Sequence, residues 1–527
     1  MQEYKTLIVG AGPCGLACAA ELVRQGVDPK EFLLIDTNLE SVKANKGINI
    51  LPRTLELLDY YDDLGAKLVE NEAGWSEVRF YAENQYFASL DVRKAMEKQS
   101  EYHRMYNVPQ WKTELQLTNY LKSHGVNINR GISLESFEIK EDHVQVLLSN
   151  GSSLKVEYLV ACDGAKSKIR KSLGLKYDGT SLKNGSVGLH FTTDGKVPID
   201  RNLHMYYSEK GIAYMMEMAN GVYVLGMDLT EEEETPYISD ETDAYGQKKM
   251  LPIPTEKAVE LFHNRLGFKV SVKQVDWETR YRVHHRFVEK YSVANRVFLV
   301  GDAAHSSSPS AGLGLNIGIY EASNLGWKLA FTMLNLTNPS ILETYDTERV
   351  KEIKKMIKFL QGQQDLGDMK GFARYIRNFG VALVSKLYKV YPEIIGQNNT
   401  TGSLMDVHYQ STLTAKSTKT ELKRMAPGRH VPNQLLKALG FDGKTKGYTV
   451  IVFGKDPSNL EPHLKSTGLI GNVIAGDSKL AREFEVSKPE LLIIRPDGHI
   501  GLRSESVNAQ VCLNYLKLNS AAILAEL

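Results

Sequence analysis

Leu7-Ile8-Val9-Gly10-Ala11-Gly12-Pro13-Cys14-Gly15-Leu16 opens a pattern that Phe32-Leu33-Leu34-Ile35-Asp36 completes. Leu7 to Val9 is a short apolar run of the kind a strand buried on both faces shows, and Leu16, Ala19, Ala20, Leu22 and Val23 follow the glycines at helical spacing. The order is strand, glycine turn and helix, then a second apolar strand ending in an acid roughly twenty residues beyond Gly15. Each glycine has its own task. Gly10 permits the tight turn, Gly12 lets a pyrophosphate approach the backbone, and Gly15 lets helix and strand pack closely. The helix start attracts the anion. Asp36 favours an adenosine ribose without a 2′-phosphate, as in FAD or NAD, because a second anion there is repelled; NADP is disfavoured at this site. Cys14 and Cys18 share a helix face, but with no further Cys or His beside them they read as helix packing and not as a metal site.

Outward from this stretch, 527 residues predict about three domains. Lys and Arg number 64 against 63 Asp and Glu, so the basic surface that neutralises many phosphates is missing and nucleic acid is not an expected partner. Cys14, Cys18, Cys162 and Cys512 are too few and too scattered for a disulfide framework, which makes a reducing, cytoplasmic compartment the expectation. No apolar run approaches the ~20 residues of a membrane helix. Thr6 to Ala20 is apolar, but its glycines and weakly charged start argue against a signal peptide.

A second constellation lies some three hundred residues on. Val297-Phe298-Leu299-Val300 runs into Gly301-Asp302-Ala303-Ala304-His305, a loop containing Pro309 follows, and Gly312-Leu313-Gly314-Leu315-Asn316 opens a helical pattern through Leu329. Between the two, the strand Tyr158 to Ala161 leads into Cys162-Asp163-Gly164-Ala165-Lys166-Ser167 with Arg170. Tyr345-Asp346-Thr347-Glu348-Arg349 and Arg495-Pro496-Asp497-Gly498 come later. On these motifs, spread in order over nearly the whole chain, the sequence resembles the single-component FAD-dependent aromatic hydroxylases, in their phenol hydroxylase-like branch.

The resemblance implies a mixed α/β fold: a Rossmann-like FAD-binding domain of the glutathione-reductase type, interleaved with a β-sheet substrate domain and followed by a thioredoxin-like domain. It assigns FAD contacts to Gly10, Gly12, Gly15, Asp36, Lys46, Gln110, Asp163, Asp302, Gly312, Gly314, Leu315 and Asn316. Asp302 corresponds to the carboxylate on the ribityl chain, Asp163 to a residue that helps hold FAD and is linked to NAD(P)H use, and Gln110 to a flavin-contacting glutamine. The helix starting near Gly312 aims its positive end at the flavin ring. Pro309 shapes the pocket where oxygen is activated, and Arg286 matches the family's arginine before the Gly-Asp strand; with Tyr214 these are the candidate catalytic residues. The sequence also departs from the family. Lys46 stands where an arginine is common, Leu313 where glutamine is, Ala311 where glycine is, and apolar Ile48 where phenol hydroxylases carry an aspartate near the substrate hydroxyl.

The expected organisation is an FAD-binding part over 1–172 with a substrate-domain insertion near 75–108, and a substrate sheet over 173–285. A second FAD-binding part with a helical extension follows over 286–397, a polar linker over 398–426, and the thioredoxin-like domain over 427–527. Leu134 to Ile139, Val144 to Ser149 and Leu154 to Val156 read as successive short strands, the last two joined by an Asn150-Gly151 turn. In the substrate sheet Tyr214, Met216 and Met218 share one face, by alternation. The C-terminal part carries no CxxC, only Cys512, which excludes thiol redox chemistry. No HExxH or Cys/His cluster points to a metal, and none is expected.

The function implied is an FAD-dependent monooxygenase that hydroxylates a phenolic or polycyclic aromatic substrate with NAD(P)H and O2, through a flavin hydroperoxide. NAD(P)H docks transiently, since no second strand-glycine-helix unit occurs, and a homodimer is the family expectation. Two alternatives stay open: an FAD oxidoreductase of the same fold without ring hydroxylation, and a non-catalytic FAD-binding homologue.

Overall fold

The computed structural model describes residues 2–41, 47–97, 100–242, 247–306, 312–390, 407–411, 413, 425–441 and 443–517. Lys46, Pro309, Ala311 and most of the 398–426 segment lie outside the described residues. Among the described residues, parallel pairing builds the first sheet. Val9 at the end of Gln2–Val9 is level with Ile35 of Phe32–Asp36 on one side and with Ala161 of Ser153–Ala161 on the other. Ala161 is level in turn with Leu299 of Val297–Leu299, and Asp36 with Arg130 of Ile128–Arg130. Parallel neighbours require crossovers, and Pro13–Gln25 is the first. Pro13 starts it without losing a needed hydrogen bond, and Gly26, at φ +97°, stops it by turning its N–H back onto the Leu22 and Val23 carbonyls.

Helix Leu313–Met333 packs along Pro13–Gln25. The approach is close because Gly318 faces the Cys14 sulfur and Gly326 faces Glu21, where a Cβ would clash in each case. Leu7, Ile8, Leu16, Ala20, Leu34, Ile319 and Leu325 are fully buried between these layers. The meander differs from the sequence reading. Leu134–Ile139 and Val144–Leu148 form as expected, but Leu154 to Val156 and Tyr158 to Ala161 are one strand, Ser153–Ala161. Pairing makes it continuous: Val144–Leu148 lies antiparallel along its first half while Gln2–Val9 lies parallel along its whole length.

The second sheet has eight strands among the described residues, ordered 305–306, 274–287, 178–192, 222–228, 211–217, 203–208, 77–82 and 85–91. Period-two alternation gives it two different faces. Val187, Leu189, Phe191, Ala213 and Met215 pack beneath helix Thr255–Leu266 in a core of their own. Gly188, His190, Tyr214 and Met216 point the other way.

The C-terminal sheet is ordered 470–476, 448–453, 490–494 and 500–504, the first pair parallel and the others antiparallel. It docks on the first sheet's helices through buried charge. Arg495 donates to both oxygens of Glu348 (2.6 and 3.0 Å) and to Asp497, and Lys328 donates to Glu348 (2.8 Å). Arg53 and Arg24 donate to the Asp497 and Pro496 carbonyls. Burial opposes the Glu348 charge, but Arg495 and Lys328 hold the carboxyl well below its usual range. The segments Arg53-Thr54-Leu55-Glu56, Thr347-Glu348-Arg349 and Arg495-Pro496-Asp497-Gly498, far apart in sequence, therefore meet at one interface.

Candidate functional site

The parallel strands finish at one level, and the residues that follow them rim one cavity of about 800 Å³: Gly10 to Cys14, Asp36, Cys162 to Gly164, and Val300 with Asp302. The crevice at the carboxyl ends of parallel strands is where such sheets bind ligands. Backbone bonds draw the loops over the strand ends: Gly10 N–H to Ile35 O, Cys162 N–H to Val9 O and Val300 N–H to Ala161 O, at 2.8, 2.8 and 3.0 Å.

The three glycines separate by what a side chain would meet. At Gly10, with φ +106°, a Cβ would sit 2.2 Å from the Cys162 carbonyl oxygen, and at Gly15 one would sit 1.8 Å from that of Gly10. Those two are required by the protein itself. A Cβ on Gly12 would meet nothing within 4 Å; it would project into open cavity. The helix that starts there has no side-chain cap and no acid in its first turn, so its N–H groups and positive end are left for a ligand anion. Asp36 accepts the Ala11 and Asn38 N–H groups, both at 2.7 Å, with Arg130 at 3.9 Å.

Asp163 accepts the Lys168 and Ile169 N–H groups on one oxygen, while its other oxygen is buried with no protein partner. Arg170 ties this loop to the distant one, donating to the carbonyls of Ala165 and Ala303 (2.8 and 3.0 Å). Glu321, fully buried on helix Leu313–Met333, reaches back to Gly301 N–H at 2.9 Å and His305 Nε2 at 3.0 Å, and so holds Asp302 at the cavity. Gln110 lines the wall and donates to Glu114 (2.8 Å), whose carboxyl burial pushes up. An anion site at a helix start and an acid placed for a ribose diol fit the pyrophosphate and ribose of FAD, and the unsatisfied buried oxygen of Asp163 leaves a further acceptor for the same cofactor.

The other half of the cavity is walled by the second sheet. His190 meets Trp277 edge-on at 4.8 Å between ring centres, and Thr279, Tyr281, Met216 and Val224 complete the wall. Tyr214 lies over Gly226, where a Cβ would come within 2.3 Å of its ring. Tyr281 lies beside Tyr214 on this wall, and Ser186 behind them donates to Asp228 (2.9 Å). Burial pushes Tyr214 up to about 12 and His190 down to about 4, so both are neutral near pH 7. Arg282, also at the rim, is engaged by Glu234.

Gly10, Gly12, Asp36, Gln110, Asp163, Asp302, Gly312, Gly314, Leu315 and Tyr214 line this one cavity, as does Ile48. Three other expected residues stand behind it. Gly15 serves helix packing. Asn316 is fully buried and clamps Asn49 O, Gly312 O and Leu51 N–H, so it positions the loop and does not line the cavity. Arg286 is not a lining residue either: it donates to Tyr177 O and Ser181 Oγ. Sequence reasoning missed Arg130, Glu114, Glu321 and His190. An acid within the helix that follows the Gly-Asp loop was the one available signal for Glu321.

A cavity that joins a dinucleotide cradle to an aromatic wall defines an FAD-binding flavoprotein. The chain belongs to the FAD binding domain family, whose model matches residues 3–360 and whose members are flavin-dependent hydroxylases. It is 26% identical to a flavin-dependent monooxygenase of Mycobacteroides abscessus over 97% of this chain and 98% of that one. To pentachlorophenol 4-monooxygenase of Sphingobium chlorophenolicum it is 26% identical over 68% of this chain and 63% of that one. Anhydrotetracycline hydroxylase from Streptomyces rimosus, at 24% identity, shares the fold with a TM-score of 0.77 over 98% of this chain and 99% of that one.

Proposed function

We propose that this chain hydroxylates a phenolic or polycyclic aromatic substrate, using NAD(P)H and O2. The observation that carries the reading is the continuity of the cavity: the half that fits FAD opens directly onto a wall of His190, Tyr214, Trp277 and Tyr281 that burial keeps uncharged. Bound FAD supplies the redox chemistry, taking reducing equivalents from NAD(P)H and activating O2. The protein's part is to place the ring, exclude water and manage the substrate hydroxyl. Ile48 offers no carboxylate for that hydroxyl, so Tyr214 and Tyr281 hold it by hydrogen bonds. A relative named for pentachlorophenol supports a phenolic substrate.

We read 1–172 and 286–397 as one FAD-binding domain, 173–285 with the 75–108 insertion as the substrate domain, 398–426 as a linker and 427–527 as thioredoxin-like. The C-terminal strand order and its single buried Cys512 are consistent with that last assignment and with a structural role. Among the described residues no helix is long and apolar enough to cross a membrane. A cytoplasmic homodimer completes the reading.

The test is rapid-mixing reduction of the FAD-loaded enzyme by NADH and NADPH with a panel of phenols and polycyclic aromatics. An aromatic that accelerates reduction, with one atom of ¹⁸O2 appearing in product, supports the reading, and Tyr214→Phe then raises KM by about tenfold. Acceleration only by a non-aromatic compound sinks it.

A further inference from the structure

The Gly301-Asp302 loop, which brings Asp302 to the FAD half of the cavity, is held from behind by Glu321. One oxygen of that carboxylate accepts Gly301 N–H and faces His305; the other has no hydrogen-bond partner among the described residues and lies 3.6 Å from Arg349 Nη2. Arg349 is buried, so protein neighbours and not water decide where it sits. It donates to the Tyr409 hydroxyl (3.1 Å), and its guanidinium lies 5.0 Å over the Tyr320 ring. The C-terminal sheet fixes both tyrosines. His499 Nε2 stands 2.6 Å from the Tyr320 hydroxyl and accepts from it, since Nδ1 faces the Asp497 carboxylate at 3.3 Å. The Tyr409 ring packs 4.5 Å from that of His499, with Arg495 5.1 Å over it. Main-chain bonds tie Tyr409 to the same sheet: its N–H donates to Gly428 O, and Gly428 N–H donates to Ile500 O.

We propose that the C-terminal sheet is a working part of the flavin site: Tyr409 and His499 are positioning residues that set Arg349 and, through Glu321, hold the Gly301-Asp302 loop in place for FAD. The physical reason is competition for one guanidinium. In a buried setting the attraction between Arg349 and the free oxygen of Glu321 is strong and rises steeply as they approach. The Tyr409 hydroxyl holds Arg349 back. Without it, Arg349 closes on Glu321 and draws the carboxylate off Gly301 N–H, and the loop that carries Asp302 loses its anchor. This role is separate from the hydroxylase reading, which gives the C-terminal part structure alone; it needs only the FAD site.

Fluorescence titration of the full-length apo-protein with FAD, alongside its thermal midpoint, tests this. Tyr409→Phe keeps the ring, removes the hydroxyl and should raise the Kd for FAD about tenfold. The same change in a Glu321→Gln background, where the charge that draws Arg349 is gone, should cost less than about twofold more than Glu321→Gln alone. Ile451→Val, in the fully buried core of the same sheet but outside this chain of contacts, should lower the midpoint by a few degrees and leave the Kd within about twofold. An unchanged Kd in Tyr409→Phe overturns the proposal. So does a tenfold loss in both backgrounds, or a loss with Ile451→Val as large as with Tyr409→Phe, since each returns Tyr409 to ordinary packing. If Tyr409→Phe does not fold, Tyr320→Phe, which cuts the link to His499, is read by the same cycle with the same outcomes. The flavin-reduction assay decides the aromatic substrate independently of all these results.

Discussion

Three glycines in one hexapeptide are held in place by two different things. Gly10 and Gly15 are demanded by neighbouring backbone, so Gly10→Ala, with its positive φ and a carbonyl oxygen 2.2 Å from the new Cβ, should disrupt the turn itself and lower the thermal midpoint. Gly12 is surrounded by space. Gly12→Val should fold with an apo-protein thermal midpoint within about 2 °C of wild type yet lose FAD affinity by at least tenfold, because the added methyls occupy the anion site. Calorimetry of the apo-proteins with fluorescence titration of FAD checks both. All three glycines were legible in the sequence, since a glycine turn and the strand before it are local. The sequence also assigns Gly12 to a pyrophosphate and Gly15 to packing; what it does not supply is Cys162, which the neighbouring strand Ser153–Ala161 brings against Gly10.

At the scale of elements, the helix Leu313–Met333 does more than present its first turn to a ligand. Its buried Glu321 is the acceptor that closes the Gly301 loop, and its Asn316 fastens the 49–51 segment to the helix start. Glu321→Ala leaves the Gly301 N–H and His305 without their acceptor in a fully buried setting. It should cost about 2–4 kcal/mol in urea unfolding and loosen FAD, while Glu321→Gln, which retains an acceptor oxygen, should lose roughly half as much. The helix and its glycine-rich start were predictable from periodicity. Glu321 was not, because an acid in a helix reads as a solvent-facing residue until a loop is folded over it. The alternation that groups Tyr214 with Met216 was likewise plain, but which face met the cavity was decided by helix Thr255–Leu266 covering the other one.

For the whole molecule, the docking of the C-terminal sheet buries a group that titrates near neutral pH. Glu56, fully buried near the Arg53, His430 and Asp497 cluster, has its carboxyl raised by burial, against the pull of Arg53, to about 7. Its unfolded value is near 4.5, so between the two the folded state keeps a proton the unfolded state has lost. The stability tied to that proton is fully present below pH 4.5 and is lost as pH rises through 7. Glu56→Gln should therefore flatten the fall in stability over that window, by up to about 3 kcal/mol in wild type, as read from urea midpoints at stepped pH. An unchanged slope would place the titration elsewhere. The nucleotide-binding turn, its acid and the alternating α/β character could be read from the residues alone, because they rest on glycine conformation and hydrophobic periodicity within a few tens of residues. Which residues share the cavity, which stand behind it, and how Glu56, Glu348 and Arg495 come to be buried together emerge from the folded chain. Contacts across hundreds of residues are set by how sheets and helices stack, and no local pattern encodes them.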